Sequence, residues 1–219
     1  MRRKAFSLLA LATSLVVSLC FCPVSAQTVS GDDLAAVMIS ADAVPGFHVI
    51  GDTSPTPRRP TATNEQRTRV FVADGSTAED YTLLSVIVTV PTPYAVCLPF
   101  FPGNIANGDV LGLNGDKPNF QEIGSLGVGD VDIFGSWSDL DSGANVWLTV
   151  GSEVFMRGQV TVYLKYRTHE ASIDPGTIAS YARAQDELLL AAAAAGTPIG
   201  VLASTPVPPQ PATRPEICG

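Results

Sequence analysis

The sequence EVFMRGQVTVYLKYR, residues 153–167, decides the fold of this chain. Apolar and polar side chains alternate along Val160–Arg167, with the apolar set at 160, 162, 164 and 166. That period of two is typical of a strand with one face on a core and the other facing water. Gly158 provides the residue that tolerates positive φ in a tight turn. We therefore predict an antiparallel hairpin with arms Val154–Met156 and Val160–Tyr166.

Further strands are predicted on both sides of this hairpin. The stretch 131–167 contains short alternating segments separated by turns, as in an antiparallel meander. Tyr81–Val90 is almost continuously apolar, which predicts a central strand covered on both faces. Arg67–Ala73 and Phe47–Ile50 add two more strands, whereas 94–121 is predicted to be a long loop. The sheet is expected to have five or six strands.

A helix is predicted at each end of this sheet. Ser30 or Asp32 caps an N-terminal helix that carries an apolar stripe and ends at Pro45-Gly46. Asp174 caps the C-terminal helix, and Gly196 ends it as a C′ glycine. We therefore predict an α+β domain, a mostly antiparallel sheet packed against an N-terminal and a C-terminal helix.

The first residues have the pattern of a signal peptide. Residues 2–4 are basic, 5–21 are apolar, and 24–26 (Val-Ser-Ala) form a small-x-small cleavage site. Two alternatives remain open: a membrane anchor, since the apolar run is close to the minimum span, and lipidation at Cys20 or Cys22. The expected product is exported, either secreted or associated with the cell envelope. The predicted organisation is a signal peptide at 1–26, one α+β domain at 27–200 and a Pro-rich tail at 201–219.

The net charge limits which partners the chain can bind, and the positions of the cysteines predict a disulfide. The chain has 13 Lys and Arg against 21 Asp and Glu, for a net charge of −8, and three of the basic residues belong to the predicted leader. An acidic domain is a poor ligand for nucleic acid or for anionic membrane surfaces, and no transmembrane span is expected in the mature chain. Cys97 and Cys218 are predicted to form one disulfide, which closes a loop of about 120 residues.

Three short motifs resemble a class of exported bacterial domains of unassigned function found in actinobacteria and Chloroflexi-type bacteria. They are a P-G-F opening at 45–47, L-G-V-G-D at 126–130 and V-F-M-R-G-Q-V-T-V at 154–162. A helix with Ala184-Gln185-Asp186 follows. Val131 and Asp132 stand where the class has Glu and Ala. The resemblance implies an exported domain of the predicted architecture and transfers no catalytic residue.

The sequence contains no recognisable reaction centre. His48 and His169 are the only histidines and the cysteines form no cluster, so no metal site and no cofactor are predicted. Residues 139–143 have some likeness to a calcium loop, but Val150 stands where its bidentate acid belongs. No G-x-S-x-G nucleophile elbow is present. Asp130 and Asp132 are predicted to lie on the same face of a strand, which would let them share a site, and the plain alternative is solubilising charge.

Two hypotheses about function follow from these observations. The first is a non-catalytic module that binds a small ligand, an envelope component or a protein, with a candidate binding surface at Phe100, Phe101, Trp137 and Trp147. The second is an extracytoplasmic hydrolase that uses carboxylates or a histidine, and it requires His48 or His169 within hydrogen-bonding reach of an acid in a cleft.

Overall fold

A computed structural model describes residues 29–54, 65–77, 80–90, 119–143 and 145–206. The predicted signal peptide, all four cysteines, Phe100, Phe101 and the predicted tail after residue 206 lie outside these ranges. The expectations for export, lipidation and the disulfide therefore stay predictions.

The described residues form one antiparallel sheet with helices before and after it, which confirms the α+β prediction. The elements are α1 (Gly31–Ala36), a 3₁₀ turn (Ala41–Ala43), β1 (Phe47–Thr53), β2 (Glu65–Ala73), β3 (Leu83–Val90), β4 (Gln121–Gly124), β5 (Val131–Asp141), β6 (Val146–Arg157), β7 (Val160–Thr168), α2 (Pro175–Ala195) and α3 (Pro198–Ser204). The strand order is β1-β2-β3-β7-β6-β5-β4. Seven strands are thus described rather than five or six, and β4 lies at the end of the stretch predicted to be a loop.

The predicted hairpin is present as β6 and β7, with Arg157 paired to Val160 across the turn. Gly158 has φ +56°, and a Cβ atom there would lie 2.3 Å from the carbonyl oxygen of Leu202 in α3. The turn therefore requires glycine for its backbone conformation and for close packing. β6 is longer than predicted, because Gly151 stays in the ladder opposite Tyr166 instead of ending the strand.

The helices match the predictions in part. Asp174 caps α2 and Gly196 ends it in the left-handed conformation, as predicted. The Thr197 side chain accepts a hydrogen bond from Gly200 N and so caps α3. The Thr-Pro step therefore starts a second helix, which continues past residue 200, where we predicted the domain to end. The N-terminal helix is only six residues long. Its cap is Ser30, which forms a capping box with Asp33.

The segment after α1 is held by tertiary hydrogen bonds instead of a continued helix. Gln185 of α2 is buried and accepts a bond from Ile39 N (3.1 Å) while donating to Val37 O (2.5 Å). Arg69 donates to Met38 O and Ile39 O. These contacts use the backbone groups that a longer helix would have paired internally, so the N-terminal segment is bound to the sheet and to α2.

The main core lies between the helices and one face of the sheet, which we call the helix face. Val160, Val162 and Leu164 are fully buried there, as the alternation predicted. The prediction that the opposite residues of β7 face water is wrong at Thr161, which is 2% exposed. Lys165 on that side lies 5.8 Å from the ring centre of Trp137. The second face of the sheet is therefore largely covered around β5, β6 and β7.

Within the described ranges, no single helix is long and apolar enough to cross a membrane. α2 and α3 meet the length and composition criteria only as a pair, and the pair is bent by 105°.

Candidate functional site

Both histidines lie at the same end of the sheet. His48 is the second residue of β1, and His169 directly follows β7. Because β1, β2, β3 and β7 are antiparallel neighbours, the start of β1, the β2–β3 turn and the end of β7 all come to this end. The strand order thus collects titratable groups that lie far apart in the sequence.

A polar cleft of about 390 Å³ opens at this end of the sheet. Its walls come from the β2–β3 turn and from the chain that leaves β7. The lining residues are Ala73, Asp74, Gly75, Ser76, Asp80, Thr82, Thr168, His169 and Glu170. Three of these residues are acids, and none is Lys or Arg.

One wall of the cleft carries a histidine–carboxylate pair. His48 Nδ1 lies 2.8 Å from Asp74 Oδ1, and both side chains are largely exposed. The backbone of Asp74 is fixed because its N–H donates to Gly46 O (2.7 Å). In the described part of the chain, neither imidazole has a hydroxyl as hydrogen-bond partner.

The opposite wall is the segment that leaves β7. Thr168 Oγ1 lies 3.1 Å from Thr82 Oγ1 and accepts a bond from Glu170 N. Thr149 Oγ1 in turn donates to Glu170 O (2.6 Å). These bonds tie residues 168–170 to two neighbouring strands. The wall is therefore preorganised, which lowers the entropy cost of binding a ligand against it.

His169 packs edge-on against Tyr81, with ring centres 5.2 Å apart. Its Nε2 atom is buried and has no hydrogen-bond partner in the described structure. Tyr81 donates its hydroxyl proton to Asp141. Burial, followed by this bond and the charge of Asp141, raises the pKa of Tyr81 to about 12. Tyr81 therefore stays neutral and joins the β2–β3 turn to the end of β5.

The two predicted tryptophans do not share a surface. Trp137 and Trp147 lie on opposite faces of the sheet, since Trp137 pairs with Val150 and Trp147 with Leu140 in one continuous ladder. Trp137 is 1% exposed, whereas Trp147 is 59% exposed. Trp147 lies on the helix face two residues before Thr149, near the wall that Glu170 contributes. Of the two, Trp147 is the residue available to a ligand.

Asp130 and Asp132, which the sequence offered as a carboxylate pair, each accept hydrogen bonds from neighbouring protein groups. Asp132 accepts bonds from Ser125 Oγ, Leu126 N and Val128 N. Asp130 accepts from Arg157 and from Gly158 N. In residues 139–143, Asp141 accepts from Gly143 N as in a simple turn. Among the described residues, no group of three or more His, Cys, Asp or Glu side chains is placed to hold a metal ion.

Two of the three motifs, the hairpin and the L-G-V-G-D turn, meet α2 at one ion-pair network. Arg157, in the hairpin motif, bonds both oxygens of Asp186 in α2 (2.9 and 2.5 Å) and also Asp130 in the L-G-V-G-D turn. Gly129 N donates to Asp186 as well. These positions therefore have a structural role in joining hairpin, turn and helix. The sequence feature that could have indicated this network is Asp186, a charged residue on the buried side of α2.

No family model, curated protein or solved structure matches this chain. The resemblance drawn from the three motifs therefore stays a prediction.

Proposed function

We propose that this protein is an exported or envelope-associated, non-catalytic domain that binds a small ligand in the cleft between the β2–β3 turn and the end of β7. The observation that carries the proposal is the acidic, hydroxyl-rich lining of that cleft, with one wall held by bonds from Thr82 and Thr149. Ligand sites are concave, and a small number of placed polar groups fix the orientation of the ligand.

The ligand we propose is a small organic cation that carries an ammonium or guanidinium group. Asp74, Asp80 and Glu170 supply three carboxylates without a lining Lys or Arg. Opposite charges a few ångströms apart attract even in solvated clefts, although salt weakens the attraction. Trp147 precedes by two residues Thr149, which donates to Glu170 O, and its indole is exposed. Cations bind such aromatic faces.

Isothermal titration calorimetry of the folded domain with spermidine tests the proposal. We expect saturable binding that weakens as salt is raised. Asp74→Asn and Asp80→Asn should each weaken it several-fold, because each removes one carboxylate from the cleft. Trp147→Ala should weaken it as well.

Matched controls separate the cleft from the general acidity of the domain. Glu187→Gln removes the same charge from the exposed side of α2, and Leu190→Ala removes an exposed apolar side chain there. Both should bind spermidine as the wild type does. Equal loss in Glu187→Gln and Asp74→Asn would mean that spermidine binds only to the overall negative charge. Binding of neutral N-acetylglucosamine with no binding of spermidine would contradict the cationic ligand.

The second candidate function is a hydrolase that uses carboxylates or a histidine. The 2.8 Å contact between His48 and Asp74 beside the cleft favours it, since this is the arrangement of a base with its orienting acid. Turnover of p-nitrophenyl acetate or of p-nitrophenyl glycosides, abolished by His48→Ala and unchanged in Glu187→Gln, would establish this function over the first. Equal rates in wild type and His48→Ala would exclude His48 as its base.

A further inference from the structure

Glu153 is a buried acid without any hydrogen-bond partner. It lies in the middle of β6, 0% exposed, opposite Phe134 of β5 and Leu164 of β7. All three side chains are on the helix face, against which α2 packs. Both carboxyl oxygens are buried and unpaired. Such a group is uncommon, because leaving a buried polar atom unsatisfied costs stability.

The charged neighbours make ionisation of Glu153 more difficult. Asp132 lies on the adjacent strand at the diagonal position, and its oxygens are taken by Ser125, Leu126 and Val128. Burial, and after it the negative charge of Asp132, raises the pKa of Glu153 to about 9.

Among the described residues, the arginines on this face already have partners other than Glu153. Arg157 of β6 is bound to Asp130 and Asp186, and Arg183 of α2 donates to Leu126 O. On the same face, Arg67 and Arg69 of β2 are both bound to Asp52. Tyr166 of β7 and Tyr181 of α2 also face this side and carry no positive charge. Lys165 points to the other face, where it lies over Trp137.

We propose that Glu153 is a built-in proton site: the domain folds with this side chain as a neutral carboxylic acid, and loss of the proton weakens the docking of α2 on the sheet. The inference does not depend on a ligand in the cleft. It follows from the burial of the carboxyl, its two unpaired oxygens and the adjacent Asp132.

The direction of the pH dependence follows from linkage. The folded state holds the proton more tightly than the unfolded chain, whose carboxyl has the ordinary pKa of 4.5. The stability that protonation provides is therefore complete below pH 4.5 and is lost as the pH rises towards 9. Over that range the unfolding equilibrium constant of the wild type should rise about tenfold per pH unit relative to a variant that cannot ionise there.

Infrared spectroscopy tests the protonation state directly. At pH 7 we expect the C=O band of a protonated carboxylic acid in the wild type and in Glu187→Gln, and its absence in Glu153→Gln. The wild-type band should disappear as the pH is raised through about 9. Absence of this band from the folded wild type at pH 7 would overturn the proposal, and this measurement does not require the variant to fold.

Trypsin tests the docking of α2, because Arg183 is the only Lys or Arg in that helix. Cleavage after Arg183 in the wild type should accelerate above pH 9 relative to cleavage in Glu153→Gln at the same pH. Urea unfolding of the two proteins should give curves that agree at pH 4 and diverge as the pH rises. A constant difference from pH 4 to pH 9, or identical cleavage rates above pH 9, would refute the link between this proton and α2.

Discussion

Removing the cation of the ion-pair network should destabilise the domain strongly. The perturbation is Arg157→Met, which keeps much of the apolar stem and deletes the guanidinium. Arg157 is 18% exposed and Asp186 10% exposed, so the pair is mostly withdrawn from water. In the variant, Asp186 retains the bond from Gly129 N at 3.3 Å, and Asp130 retains the bond from Gly158 N.

The expected loss is about 3 kcal/mol of unfolding free energy. Removing one partner of a buried pair costs about 3–5 kcal/mol, because the other charge is left uncompensated. The lower end of this energy range applies to Arg157→Met, because Asp130 is about one-third exposed and water can solvate it. A loss of this size is a large fraction of the stability of an ordinary domain.

Urea unfolding followed by circular dichroism measures this loss, with the slope of the transition checked for two-state behaviour. Arg183→Met is the matched control, because Arg183 is exposed and donates only to a backbone carbonyl. Its loss should stay within about 0.5 kcal/mol. A double variant, Arg157→Met with Asp186→Leu, should lose less than the sum of the single variants, because no orphaned charge remains at Asp186. Strict additivity, or a loss below about 1 kcal/mol in Arg157→Met, would refute the role given to the network.

Three further predictions concern the hairpin turn, the N-terminal segment and the covalent state. Gly158→Ala should cost at least about 1 kcal/mol in urea unfolding, because it strains a positive φ and brings Cβ against an α3 carbonyl. Gly75→Ala has a similar positive φ but open space around its Cβ, so it is the control for the clash and should cost less. Gln185→Leu should cost about 2 kcal/mol, since two buried backbone groups lose their partner, and proteolysis should then begin in the N-terminal segment; no change in the cleavage pattern would contradict this. Mass spectrometry of the protein expressed with its predicted leader should find an N-terminus at Gln27 and a peptide pair joined through Cys97 and Cys218. Free thiols at both positions would exclude the disulfide.

The ends of a helix were predictable from the sequence where the residues that fix them act on nearby backbone. Asp174 and Gly196 mark the ends of α2 because a side-chain cap and a left-handed residue each act within a few positions. The N-terminal helix was overextended for the opposite reason. Its apolar stripe continues past Ala36, but the backbone of that stretch is paired with Gln185, which lies about 146 residues away.

The candidate site was predictable only in part. His48 and His169 were identified from the sequence as candidate catalytic histidines, and both lie at one end of the sheet. It did not identify Asp74, Asp80 or Glu170, because nothing nearby in the sequence distinguishes them from solubilising acids. Trp137 and Trp147 were grouped on residue type alone. Their positions on opposite faces follow from the β5–β6 register, which a turn of unknown length does not fix.

The sequence by itself determined the antiparallel hairpin at Gly158, the core-facing residues of β7 and the long C-terminal helix, because turn geometry, side-chain alternation and helix capping are properties of short stretches of chain. Only the tertiary structure decided that β7 lies between β3 and β6, which brings His48, Asp74 and His169 to one end of the sheet. It also decided that Glu153 is buried without a partner while Arg157, four residues later on the same face, is paired. Residue type gives the charge of a side chain, but only the packing of distant elements decides whether water or another charge can reach it.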